Sequence, residues 1–209
     1  IYRIFSMTKP VTASALMILY DEGKFELDDK VSEFIPEFGE MKVYNPETQN
    51  TESLHHEVTI RHLLTHTSGI PYGWDQNAYV DSLYNEKGVS GWDATIGEKV
   101  KVLTQIPLKS QPGTKWEYGL SIDVAGYLIE VLSGIPLDEF LETRLFAPLK
   151  MDDTGFYVPA EKHERFATLY NPDGQGKIKA STGMMSKIFK SPVTLFSGGG
   201  GLVSTADDY

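Results

Sequence analysis

Apolar residues recur at helical spacing in several short runs, and glycine or proline closes each run before it grows long. Val11, Ala15, Ile18 and Leu19 lie on one face of a run ended by Gly23, and Pro10 falls in its first turn, where a missing N–H is harmless. The spacing predicts a helix from about Met7 to Glu22 with Ser6 at its N-terminus. Residues 25–29 read as a turn, and 31–36 as a short helix or extended piece ended by Pro36. Thr59 opens a second helical signal carrying Ile60, Leu63 and Leu64, which Thr67-Ser68-Gly69 stops. Ser121 is read as the cap of a helix bearing Ile122, Ala125, Ile129 and Leu132 and ending at Gly134, and Pro136 as opening another with Leu137, Phe140, Leu141 and Leu145 on one face. Residues 70–95 lack a clean period and read as a long irregular excursion rich in aromatics, the kind of loop that often lines a site. Residues 171–201 are turn-rich, and no internal repeat, charge block or linker interrupts the chain.

A chain of 209 residues is long enough for a sizeable core and is expected to form one domain, or one plus an appendage. Twenty-nine acidic against 19 basic side chains give a net charge of -10, which argues against nucleic acid and anionic membranes as partners. No apolar stretch approaches the roughly 20 residues of a membrane span. The absence of cysteine excludes disulfides, thiol catalysis and cysteine-ligated metal, while leaving the compartment open. Ile1 leads straight into an apolar segment, and Thr205 with the acidic residues behind it resembles a helix start. Both ends read as interior to a larger protein.

Ser6 stands three residues before Lys9, so the two side chains share a helix face, and a desolvated lysine there can act as a base toward the hydroxyl. As a string the pattern is weak: 15 serines and 15 lysines in 209 residues give about one such match by chance. A helix start adds weight, because a free N–H and the helix dipole both favour a developing oxyanion. The bland alternative is a capping serine. Tyr118, on a turn before a helix, is a second candidate, since a phenol held near an ammonium is driven toward phenolate.

Phe5-Ser6-Met7-Thr8-Lys9-Pro10, Leu27-Asp28-Asp29-Lys30-Val31, Arg61-His62-Leu63-Leu64-Thr65-His66-Thr67-Ser68-Gly69, Pro112-Gly113, Tyr118-Gly119-Leu120-Ser121, Ala147-Pro148-Leu149 and Ser197-Gly198-Gly199-Gly200-Gly201-Leu202 follow one another in the order and approximate spacing of the class C β-lactamase-like serine hydrolases. The chain most resembles the esterases of carboxylesterase family VIII, over essentially its whole length. The resemblance implies an α+β, β-lactamase/transpeptidase-like fold, of which this chain supplies mostly the helical domain and little of the central antiparallel sheet. On that expectation residues 1–209 form an internal segment of one catalytic domain whose N-terminal and C-terminal sheet segments lie outside it, and a second chain or self-association completes the fold. The resemblance further implies acyl transfer through an acyl-enzyme on Ser6, with Lys9 and Tyr118 managing its proton, one oxyanion donor from the Ser6 N–H and the other from a late strand. It implies no cofactor.

Where β-lactamases of this kind carry Asn two residues after the tyrosine, this chain has Leu120, which offers no hydrogen bond to a lactam side chain. A small-molecule ester is therefore the expected substrate. β-Lactamase and D-alanyl-D-alanine peptidase activity remain the alternatives within the same mechanism. Tyr72, Trp74 and Leu120 are candidate substrate-binding residues, with core packing as the other reading of the two aromatics. Two rivals come from different classes. His62 and His66 are spaced i, i+4 as a zinc-dependent hydrolase would need, although no His-Glu-x-x-His occurs and the resemblance makes the second histidine structural. A non-catalytic scaffold on this fold is the other. Gly198 to Gly201 fit close backbone packing beside the site better than a phosphate loop, since no Gly-Lys-Ser/Thr follows.

Overall fold

A computed structural model describes residues 1–75 and 77–209. Gln76, within the expected excursion, lies outside the described residues. The helices are α1 (Thr8–Asp21), α2 (Ile60–Leu64), α3 (Tyr79–Glu86), α4 (Ile96–Leu103), α5 (Ser121–Ser133), α6 (Leu137–Leu141) and α7 (Ala147–Leu149). The strands form three antiparallel pairs: β1 (Tyr2–Arg3) with β6 (Val203–Ser204), β2 (Lys42–Asn45) with β3 (Asn50–Ser53), and β4 (Tyr170–Pro172) with β5 (Ile178–Ala180). Short strands beside a helical body match the expected mainly helical share of an α+β fold.

The core gathers around α5. Its Val124, Ala125, Leu128 and Ile129 are fully buried, and α1, α2, α4 and α6 all pack against it. Helix α1 presents Val11, Ala15, Leu16 and Leu19 to the same core, the i, i+4 stripe that its sequence spacing sets. Helix α2 is only five residues long and depends on its ends. Thr59 accepts the backbone N–H of His62, and the His62 ring accepts the N–H of Thr59, a reciprocal cap.

Several local expectations are corrected. The excursion 70–95 contains α3, whose Val80 and Tyr84 are buried four residues apart; the surrounding aromatics and glycines hide that spacing in the sequence. Helix α4 lies outside the elements expected from the sequence, although it starts at a capping box in which Thr95 accepts the N–H of Glu98 and the Glu98 carboxylate accepts that of Thr95. Ser121 does not cap α5. It is the first helical residue, and its hydroxyl pairs with that of Ser68 at 2.8 Å. The helix opened by Pro136 changes pitch after Leu141, running through a π-helical stretch (Glu142–Phe146) into α7. Residues 205–208 form one turn in which the Thr205 hydroxyl accepts the N–H of Asp208 and its carbonyl that of Tyr209, the bonds that the expected helix start calls for. No helix among the described residues is long and apolar enough to cross a membrane.

Candidate active site

Ser6 sits in a 3-10 turn (Phe5–Met7) that feeds directly into α1. The residue before it, Phe5, has φ 43°, a left-handed conformation that costs a bulky side chain energy and is held by its surroundings. Among the described residues no backbone carbonyl accepts the Ser6 N–H. The Ser6 hydroxyl makes no capping bond; it lies 3.2 Å from Lys9 Nζ and 2.7 Å from the Tyr118 phenol.

Lys9 is buried. Its Nζ also donates to the Tyr72 hydroxyl at 2.9 Å and to the Gly199 carbonyl at 2.7 Å, so three donors meet three acceptors, as an ammonium requires away from water. The glycine run is fastened to α1 by neighbouring side chains. Thr8 accepts the N–H of Leu202, and Thr12 donates to the Gly198 carbonyl. A methyl group on Gly199 would stand 2.2 Å from an Asp123 oxygen, so only glycine allows the backbone in close enough to present that carbonyl. The run thus supports close packing.

Tyr118 reaches Ser6 from the far side, on a segment laid along residues 66–71. Glu117 donates its N–H to the His66 carbonyl, and Gly113 to that of Thr67. At Gly119 a side chain would meet the Ile70 carbonyl at 1.9 Å. Burial works against ionisation of Tyr118, but the Lys9 ammonium and the Ser6 hydroxyl prevail and lower its pKa. For Tyr72 burial dominates, reinforced by Asp123 and Tyr118, and the pKa is raised.

Ser6, Tyr72, Trp74 and Leu120 line one cavity of about 430 Å³. Trp74 is exposed and stacks on Tyr72, ring centroids 4.3 Å apart, while Leu120 is buried. A larger cavity of about 730 Å³, between Pro36 and Pro107, contains none of these side chains. His62 and His66 do not share a helix face: α2 ends at Leu64, and His66 has φ 54°. The His62 ring is engaged in the cap, and that of His66 packs 5.0 Å from Tyr118. Among the described residues no group of three or more His, Asp or Glu side chains is placed to hold a metal ion.

Two charged residues of the cavity, Lys99 and Asp123, lie outside the sequence expectations. Asp123 accepts from the Ser197 hydroxyl at 2.5 Å and the Gly199 N–H at 3.2 Å. The sequence hints at Asp123 only as an acidic residue in the first turn of a helix, where a solvated carboxylate is the ordinary reading.

A helical body around α5, with a serine at the head of α1 facing both a lysine and a tyrosine, is the mainly helical part of the β-lactamase/transpeptidase-like fold. The Beta-lactamase family model matches residues 1–209, and the chain belongs to that family. It is 36% identical over 216 residues to an uncharacterized protein of Mycobacterium tuberculosis (strain CDC 1551 / Oshkosh), covering all of this chain and 52% of that protein. It is 34% identical over 229 residues to Esterase EstB of Burkholderia gladioli, covering all of this chain and 55% of that protein. The solved structure of EstCE1, described as a hydrolase with promiscuous acyltransferase activity, superposes with a TM-score of 0.79 at 28% identity, covering 99% of this chain and 56% of that one. The chain spans about half the length of the curated relatives it matches.

Proposed function

We propose that this chain carries the acylation centre of a serine hydrolase that cleaves carboxylic esters. The observation that supports this reading most is the Ser6 hydroxyl held at once by Lys9 Nζ and the Tyr118 phenol. Tyr118 as phenolate takes the Ser6 proton while Oγ bonds to the ester carbonyl carbon and the carbonyl electrons move onto oxygen. The Ser6 N–H and the dipole of α1 stabilise that oxyanion. Collapse breaks the bond to the alcohol oxygen, which takes the proton back from Tyr118 and leaves an acyl group on Ser6. Water then gives its proton to Tyr118 and adds to the acyl carbon, and collapse breaks the bond to Ser6 Oγ, which takes the proton from Tyr118 as the acid leaves. Lys9 donates to the Ser6 hydroxyl and holds Tyr118 toward the ionised form.

Leu120 favours esters over lactams, since it presents no hydrogen bond to a side-chain amide. The resemblance to Esterase EstB points the same way. Two measurements test the proposal. A serine-reactive fluorophosphonate should form an adduct on Ser6 that mass spectrometry localises. Among p-nitrophenyl esters, a chromogenic cephalosporin and a D-alanyl-D-alanine peptide, the esters should turn over fastest. No adduct would sink the hydrolase reading, and faster lactam or peptide turnover would replace the ester with one of those substrates.

A further inference from the structure

Asp123 and Lys99 contribute polar groups to the Ser6 cavity that the acylation steps do not use. Asp123 is 6% exposed. Its Oδ1 is occupied by Ser197 and Gly199, but among the described residues its Oδ2 is buried without a hydrogen-bond partner. A buried carboxylate oxygen with nothing to accept is costly, and such atoms in native proteins generally mark a missing ligand or water. Among the described residues Lys99, on α4, donates once, to the Gly91 carbonyl at 2.7 Å. It lines the same cavity as Asp123, Ser6 and Leu120. Burial lowers the pKa of Lys99, opposed by Asp123 and Asp93, and raises that of Asp123.

A donor and an acceptor on residues that line one cavity select a group that does both jobs. A carboxylate suits Lys99 but is repelled by Asp123, and an ammonium is repelled by Lys99. An aliphatic chain leaves both polar groups unsatisfied. A hydroxyl accepts from the ammonium and donates to the carboxylate. We infer that Lys99 and Asp123 form a subsite for a hydroxyl on the acyl group of the substrate, so that hydroxyacyl esters are preferred over their alkyl isosteres. This rests on the ester-hydrolase reading of Ser6.

Methyl 3-hydroxybutanoate and methyl 3-methylbutanoate differ by a hydroxyl in place of a methyl, and their binding to the Ser6→Ala variant can be followed by tryptophan fluorescence, since Trp74 and Trp92 line the cavity. The hydroxy ester should bind about tenfold tighter, the scale of one hydrogen bond to a charged group. Lys99→Met in the same background should bring the two affinities together. Equal binding before that change, as when ordinary water serves both groups, overturns the subsite. So does a preference that survives Lys99→Met. Selective binding alongside a native protein that turns over no ester would retain the subsite and sink the ester reading of Ser6, so the two failures are distinguishable.

Discussion

Two tyrosine hydroxyls lie close to the Lys9 ammonium, and their surroundings push them in opposite directions. Tyr72 is driven by burial to remain a phenol, whereas the contacts of Tyr118 with Lys9 and Ser6 outweigh its burial and favour phenolate. Groups whose pKa values are separated in this way take separate roles: in the proposed reaction Tyr118 moves the proton and Tyr72 orients the lysine. Because the pKa of Tyr118 lies below its ordinary 10.0, the active phenolate accumulates as pH rises. A plot of kcat/KM against pH for p-nitrophenyl esters should therefore climb with a midpoint below 10.0. Tyr118→Phe should lower kcat by roughly 10²–10⁴ and abolish that limb, whereas Tyr72→Phe should keep the limb at reduced rate. A Tyr118→Phe profile with the native limb would assign the titration to another group.

The segments that carry these side chains are short, and their ends matter more than their middles. Helix α2 has five residues and leads into His66–Gly69, the backbone that Gly113 and Glu117 bind on the way to Tyr118. Thr59→Ala removes the side-chain acceptor of its reciprocal cap. It should cost about 1 kcal/mol of stability, measured by urea unfolding, with a smaller change if water replaces the lost hydroxyl. Capping residues are visible in a sequence when the pattern is looked for. Thr59 is the boundary residue from which the second helix was read, and Thr95 with Glu98 carried an equally good signal for α4. Helix α3 was less legible, because Val80 and Tyr84 provide its buried pair among aromatics that suggested a loop.

At the scale of the molecule, α5 connects the site to the core: its first turn carries Asp123, and its buried face packs on four other helices. Leu128→Ala should destabilise the protein by about 2–5 kcal/mol, seen as a lower urea midpoint with little change in slope, since the site residues themselves stay in place. A much smaller loss would mean that the core collapses around the gap. The sequence by itself determined the family resemblance, the main helices α1 and α5, and the positions of Ser6, Lys9 and Tyr118, because repeated apolar spacing and an ordered set of local motifs are properties of the chain. Only the tertiary structure decided that Ser6 and Tyr118, 112 residues apart, lie 2.7 Å from one another, that Tyr72 binds Lys9, and that Gly199 supplies its third acceptor. It also turned Asp123 from an ordinary helix-start carboxylate into a buried one with a free oxygen. Burial and partners depend on which distant segments fold together, and they fix both pKa values and unmet hydrogen bonds.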